Sequence, residues 1–227
     1  MKSCDRFAIV SSTAGSVLEH VLERDPEFRQ RLRLVVTDRC CGAERVAVRF
    51  GVRHVRIDEL NREAFSNRLQ DILTEEAIDA VFLFFSRILS GPILNVFFGR
   101  LINFHPSLLP EFPGLRGFED GWDSNSLLLG STVHFVDCGV DTGPVIQRAV
   151  IQVNRALDLK SEVRHRIFLQ QCASLLQVSD WYSRNRIVIG NRGDVIVKEA
   201  NYEDLGAFVP ALENQVARNM VAAASNS

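Results

Sequence analysis

The segment Ala80-Val81-Phe82-Leu83-Phe84-Phe85 is apolar at every position. A strand sends alternate side chains to opposite faces, so a strand of this composition has to be covered on both. That requirement is met by a parallel sheet packed between helices, and the flanking sequence agrees with it. Arg6–Ser11, Leu32–Thr37, His54–Ile57 and Leu101–Phe104 read as further short strands. Between them, Gly15–Glu23, Ala43–Phe50, Arg62–Leu73 and Gly91–Phe98 read as helices. In the first of these, Val17, Leu18, Val21 and Leu22 share one face. Pro92 falls in a first turn, where proline is tolerated. Alternation of this kind predicts an α/β fold whose ligands lie at the carboxyl ends of the strands.

The pattern changes after residue 104. Ser131–Val136 and Val145–Val153 are β-rich runs separated by the Cys138–Pro144 loop. Leu159–Tyr182 is a long helix, and Arg186–Ile189 pairs with Asp194–Lys198 as a hairpin through Asn191-Arg192-Gly193. From Ala211 onward the sequence reads as a weak helix fading into a tail. No repeat or interdomain linker interrupts the chain. The organisation expected is one domain over 1–210, with 211–227 as a C-terminal tail.

Composition narrows the function classes. At 227 residues with 46% hydrophobic, the chain can form a substantial core as one domain. A net charge of −2 gives no electrostatic reason to bind nucleic acid or an anionic membrane. No apolar run approaches the roughly 20 residues needed to cross a bilayer. Met1-Lys2-Ser3-Cys4-Asp5-Arg6 leads directly into a strand without a signal-peptide core. Five cysteines without a CxxC pair point to reduced thiols in a cytoplasm. Cys40 and Cys41 are adjacent, so on extended backbone they face opposite ways, and no neighbouring ligand cluster completes a site.

Two loops carry the chemistry. Asn103-Phe104-His105-Pro106-Ser107-Leu108-Leu109-Pro110 leaves one predicted strand, and Asp141-Thr142-Gly143-Pro144 sits between two later ones. They present an amide, an imidazole and a carboxylate. An amide N–H and a histidine can hold the oxyanion that develops at a carbonyl carbon, while an acid tunes the histidine and manages protons. A histidine beside proline is on its own an ordinary structural residue, and Pro106, Pro110 and Pro113 restrict the backbone here. The place of His105 straight after a buried strand, two residues past Asn103 and matched by an acid loop, favours catalysis. Asp-Thr-Gly-Pro is good turn chemistry, and a defined turn also suits the presentation of a carboxylate. His134, on a predicted strand, reads as structural. His105, His134, Cys138 and Asp141 lack a recognised ligand spacing, so no metal is expected.

The two loops closely resemble the signature of folate-dependent formyltransferases, above all the glycinamide ribonucleotide transformylase family. The likeness extends through Val81–Ser90, Gly99–Asn103, Pro113-Gly114-Leu115, Gly130–Val136 and Asp141–Ile146, and more weakly Asn61–Phe65. It covers roughly positions 6 to 190. The resemblance implies a Rossmann-like, mostly parallel twisted sheet flanked by helices, in a single domain with a C-terminal β-hairpin. It implies Asn103, His105 and Asp141 as the catalytic trio and 10-formyltetrahydrofolate as co-substrate. Ser86, Arg87, Ile88 and Leu89, with Val140, match the loops that clasp the pterin. Arg62 is placed either to meet the folate's glutamate tail or simply to start a helix. Acceptor contacts are expected from Ser12, Thr13, Gly15, Ser16, Pro106, Arg116, Phe118 and Gln171.

The chain departs from the family on the acceptor side. The family carries Gly-x-Gly-Ser-Asn after the first strand to receive a phosphate; here the segment is Ser11-Ser12-Thr13-Ala14-Gly15-Ser16-Val17. Arg116-Gly117-Phe118-Glu119-Asp120-Gly121-Trp122 replaces a stretch usually bearing histidines, so Phe118 or Trp122 is expected against an acceptor of another shape. The expected activity is therefore N-formylation of an amine or hydroxylamine on a small metabolite, such as an amino sugar, amino acid or siderophore precursor. Glycinamide ribonucleotide is the alternative acceptor, and formyltetrahydrofolate hydrolysis the alternative reaction. Methionyl-tRNA formylation usually comes with a C-terminal β-barrel and a basic surface, and neither is expected here. A purely binding module would have no use for the trio, and the dinucleotide fingerprint is missing after the first strand. The expected partners are folate and a small-molecule acceptor, with room for a homodimer.

Overall fold

The computed structural model describes residues 5–202 and 206–222. By contacts the chain divides into two compact units, one of residues 1–103 with 135–143 and one of 104–134 with 144–227.

The first unit is built on parallel strands. β1 (Phe7–Ser11), β2 (Leu32–Thr37), β3 (Arg53–Arg56), β4 (Ala80–Phe84) and the start of β5 (Leu101–His105) lie in the order β5-β4-β1-β2-β3. β1 is buried along its whole length, as its apolar composition requires. Around the sheet lie α1 (Ser16–Arg24), α2 (Pro26–Arg31), α3 (Gly42–Arg49), α4 (Arg62–Glu75) and the short α5 (Ile93–Val96). Ala8, Val10, Leu34, Val36 and Leu83 join Phe65, Leu69 and Leu73 of α4 in one core. Phe7, Phe28 and Phe82 form an aromatic cluster with ring centroids 5.2–6.2 Å apart. Asn61 caps α4, its side-chain oxygen accepting from Glu63 N at 2.9 Å and Ala64 N at 3.0 Å, two amides a helix start otherwise leaves unsatisfied. From β1 the chain adds β2 and β3 on one side and then β4 and β5 on the other, so the winding reverses between β1 and β4. In sheets of this type that is where the loops at the carboxyl ends diverge and leave a crevice.

The second unit is antiparallel. β6 (Leu128–Phe135) pairs with β7 (Val145–Gln152), with a register shift between Val133 and His134. Its helices include α6 (Gly117–Asp123) and α7 (Lys160–Ser183). β8 (Ile187–Ile189) and β9 (Val195–Val197) form the expected hairpin, and β10 (Phe208–Val209) adds to β7. α8 (Gln215–Ala222) lies within the stretch read as a tail, yet it buries Ala217 and Met220. Gln177 of α7 ties down its approach, accepting from Asn214 N at 2.7 Å. Residues 223–227 of that stretch, and residues 1–4, lie outside the described residues.

The differences from the sequence reading have local causes. α2 is short and polar, and it forms because Asp25 caps Phe28 N at 2.7 Å with Pro26 in the first turn. α6 carries two glycines and no apolar repeat; its acidic Glu119 and Asp120 sit in the first turn, where the helix dipole favours them. β5 runs one residue further than its apolar stretch, so Asn103 and His105 are both strand residues.

Candidate active site

Asn103 and Asp141 meet. Asn103 Nδ2 donates to Asp141 Oδ1 at 3.4 Å, within the first unit. The loop that carries Asp141 is heavily determined. Val136 N donates to Leu101 O at 2.9 Å, anchoring its start beside β5. Asp137 Oδ1 then accepts from Gly139 N at 3.0 Å and Thr142 Oγ1 at 2.8 Å. A Cβ on Gly143 would stand 1.8 Å from Phe135 O, so only glycine fits. Asp141 itself has φ 55, in the left-handed region that costs a non-glycine residue about 1 kcal/mol or more. His105 follows Asn103 by two positions on β5, and residues two apart on a strand share a face.

The loop after β4 is braced from α4. Arg87 donates to Glu59 O at 2.6 Å and Leu60 O at 2.9 Å, with its guanidinium 4.5 Å from the Phe65 ring centre. Ser66 Oγ accepts from Ser90 N at 3.1 Å and donates to Arg62 O at 2.8 Å. Arg62 is exposed and donates to Leu89 O at 3.5 Å. Leu89 is buried in the core, whereas Ile88 and Val140 expose 43% and 47% of their surface. Two exposed aliphatic side chains on loops otherwise tied down are suited to the flat face of a ring.

The loop after β1 is hydrogen-bonded to itself. Ser11 Oγ lies 2.9 Å from Thr13 Oγ1 and accepts from Thr13 N at 3.1 Å, and Gly15 N donates to Thr13 Oγ1 at 3.3 Å. Gly15 has φ 80 and lies so close to α3 that a Cβ would come within 2.7 Å of Ala43 Cα. Ser86 N donates to Ser12 Oγ at 3.3 Å, joining the β1 and β4 loops. Asp38 and Arg39, which the sequence reading passed over, stand beside them. Arg39 forms a two-point pair with Asp38 at 2.8 and 3.0 Å and reaches Ser86 Oγ at 3.3 Å. Burial opposes ionisation of Asp38, but the hydrogen bonds from Arg39 and Ser12 outweigh it and hold its pKa below the ordinary value. An Asp-Arg pair at a strand's carboxyl end was the available signal.

In the second unit His105 is 4% exposed, and its Nε2 lies 2.9 Å from Phe112 O. Ser107 Oγ donates to Glu111 O at 2.8 Å and Phe112 O at 3.0 Å. Thr132 of β6, fully buried, donates to Ser107 O at 2.7 Å and accepts from Leu109 N at 3.0 Å. The proline-rich loop is thereby pinned to the sheet, with Pro106 half-buried beside His105. Thr132 was legible only as a β-branched residue, though a hydroxyl on a buried strand must find partners.

The remaining acceptor-side residues are placed as follows. Arg116 is exposed and paired with Asp120 at 3.1 Å. Phe118 is buried in a core with Leu129, Ile151, Val163 and Ile167, and Arg164 lies 4.4 Å over its ring. Arg155 covers the ring of Trp122 in the same way, at 4.4 Å. Gln171 of α7 donates to Phe104 O at 3.2 Å, supporting β5. Phe118 and Gln171, expected against an acceptor, thus have structural partners within this unit. His134 is buried on β6. Among the described residues no group of three or more His, Cys, Asp or Glu is arranged to hold a metal, and no helix is long and apolar enough to cross a membrane.

An amide in contact with a carboxylate at the end of a parallel strand is an arrangement able to work at a carbonyl carbon, a broad class of chemistry. The sequence comparisons narrow the class. The chain belongs to the formyl transferase family, whose profile matches residues 5–178. It is 36% identical over 188 residues to phosphoribosylglycinamide formyltransferase of Escherichia coli, covering 80% of this chain and 88% of that protein. It is 30% identical over 203 residues to the human trifunctional purine biosynthetic protein adenosine-3. That match covers 86% of this chain but 20% of the human protein. The chain therefore spans about a fifth of the trifunctional relative and most of the bacterial one. Among solved structures, glycinamide ribonucleotide transformylase 1 from Symbiobacterium toebii superposes with a TM-score of 0.77 at 31% identity, covering 85% of this chain and 93% of that one. Formyltetrahydrofolate deformylase from Burkholderia mallei, 18% identical with a TM-score of 0.71, shares the fold.

Proposed function

We propose that the chain transfers the formyl group of 10-formyltetrahydrofolate to the amine of a small molecule. The observation that carries this reading is the Asn103–Asp141 contact at 3.4 Å, with His105 two residues along the same strand. In the reaction the acceptor's nitrogen lone pair attacks the formyl carbon. A C–N bond forms, and the carbonyl π pair moves onto oxygen. Asn103 Nδ2–H and a protonated His105 hold that oxyanion. The tetrahedral intermediate then collapses, breaking the bond to folate N10. Asp141 takes the proton lost by the attacking amine, directly or through one water, and the proton is returned to N10. Ser86–Leu89 and Val140 receive the pterin, with Ile88 and Val140 supplying aliphatic contact to the ring. Arg62 faces the folate's glutamate tail.

For the acceptor, the loop after β1 favours an amine without a phosphomonoester in that position. Thr13 N and Gly15 N, two amides that could have met a phosphate, donate to side-chain oxygens of their own loop. Ser12, Thr13 and Ser16, spaced by Gly15, then offer hydroxyls rather than a ring of open amides, a surface suited to the hydroxyls and amines of an amino sugar or amino acid. Phosphoribosylglycinamide is the second reading, favoured by the 36% identity to the Escherichia coli enzyme over most of its length.

Both readings are tested by one set of assays. Production of tetrahydrofolate from 10-formyltetrahydrofolate is measured with phosphoribosylglycinamide, amino sugars, hydroxylamine-bearing amino acids and no acceptor. Acceptor-dependent turnover is expected with a phosphate-free amine. Turnover of phosphoribosylglycinamide at about 10⁴ M⁻¹s⁻¹ or better in kcat/KM, the ordinary enzymatic range, selects the second reading. Release of formate at the full rate without any amine would reject transfer altogether.

A further inference from the structure

We propose that Phe112 and Gly117 are positioning residues that fix His105 with a proton on Nε2, leaving Nδ1 as the nitrogen that gains and loses a proton. Phe112 O lies 2.9 Å from His105 Nε2. A carbonyl oxygen only accepts, so a contact at that distance requires Nε2 to carry hydrogen. Ser107 Oγ also approaches that oxygen at 3.0 Å, its single hydrogen shared with Glu111 O at 2.8 Å. Ser107 is in turn held through its own carbonyl by Thr132 at 2.7 Å, which links the arrangement to β6. Phe112 has φ 56, a left-handed conformation that a bulky residue keeps only where its surroundings impose it.

Gly117 closes the other side. It is the first residue of α6 and is buried. A Cβ there would stand 2.6 Å from His105 Nε2, 3.0 Å from Cε1 and 3.0 Å from Phe112 O. Every contact falls on the ring edge or on the carbonyl it meets, so the clearance left by glycine is the space in which that hydrogen bond forms. Glycine is a poor helix former because it gives up the most backbone freedom on folding, and the close approach to His105 accounts for its use here. With Nε2 committed to a backbone carbonyl, a second proton on the ring can only go to Nδ1. A histidine so fixed is neutral in one tautomer and, once protonated, presents Nδ1–H in one orientation, as preorganised oxyanion stabilisation requires.

The test uses the full chain labelled with ¹⁵N-histidine, the His105 signals being identified by their loss in His105→Gln. In the wild-type protein the neutral form of His105 is expected to carry its proton on Nε2, with that proton slow to exchange with solvent. Gly117→Ala, studied at a temperature where circular dichroism shows it folded, is expected to lose this signature. Its kcat should fall about 10²-fold, the scale of an ångström-sized misplacement, while KM for donor and acceptor changes little. A purely structural role would leave the tautomer untouched. The proposal is overturned by a wild-type His105 protonated on Nδ1, or by a folded Gly117→Ala with wild-type tautomer and kcat. The rate measurement rests on the formyl-transfer reading but the spectrum does not. An Nε2-protonated His105 in a chain that transfers no formyl group would reject the reaction and leave the tautomer standing. Because the wild-type spectrum needs no variant, instability of Gly117→Ala does not remove the decisive measurement.

Discussion

Replacing Thr132 with valine would keep the shape of the side chain and remove its hydroxyl. The structure makes this change informative, because Thr132 is fully buried and its Oγ1 serves two backbone groups of the proline-rich loop. Ser107 O would lose its donor at 2.7 Å and Leu109 N its acceptor at 3.0 Å. An abandoned buried donor or acceptor costs about 1–3 kcal/mol, so the pair amounts to roughly 2–5 kcal/mol after some relaxation. Against a total stability of about 5–15 kcal/mol, that is a large fraction. For a chain of this size it corresponds to a fall in Tm of about 4–20 °C. Activity should fall further than stability alone dictates, since the released loop follows directly on His105. Urea unfolding gives the free energy, and steady-state rates well below the transition give kcat. Thr132→Ser keeps the hydroxyl and loses one methyl, so it should recover most of the loss in both measurements. A Thr132→Val protein within 0.5 kcal/mol of wild type and with unchanged kcat would refute the claim that this hydroxyl holds the loop.

Three further outcomes are expected. Asn103→Ala and Asp141→Ala should each lower kcat by about 10²–10³, and the double variant should lose far less than the product of the two, as rate assays on folded protein would show. Gly143→Ala forces a Cβ to within 1.8 Å of Phe135 O, so the loop must move and carry Asp141 with it; thermal unfolding and kcat should both report damage, and a neutral variant would mean the loop is looser than described. His54 is held below its ordinary pKa, by burial and secondarily by Arg56, against the opposing pull of Glu44. A histidine with a depressed folded pKa contributes stability that is present above about pH 6.5 and is lost as pH falls toward the folded value. Urea midpoints between pH 7.5 and 5 should therefore fall less steeply in His54→Gln than in wild type.

Much of the parallel half was legible because burial and composition coincide there. β1 and β4 are apolar on both pleats, and nothing but a strand between helices accommodates that. The positions of Asn103, His105 and Asp141 followed from loops at strand ends, and the Asn103–Asp141 contact is a property of that placement. What the sequence concealed is held by backbone and by single atoms. α6 begins at a glycine whose purpose is the absence of a Cβ beside His105. The partner of His105 Nε2 is a carbonyl, which every residue has and no sequence pattern marks. Phe118 and Gln171 show a related limit. An aromatic ring or an amide near a site has the same composition whether it faces a ligand or, as here, packs under Arg164 or braces β5.

The left-handed backbone at Asp141 limits how this acid can be exchanged. Asparagine and glycine tolerate φ 55 well, so they can follow aspartate there with little cost to the loop. Glutamate follows at greater cost, because its longer side chain lacks the local hydrogen bonding that eases aspartate into this conformation. Directed evolution at position 141 would then find few neighbours that keep a carboxylate. Chemical tuning of the acid has to come from the residues around it, above all Asp137, Thr142 and Asn103, and a mutational library aimed at altered proton transfer is better spent on those three positions than on Asp141.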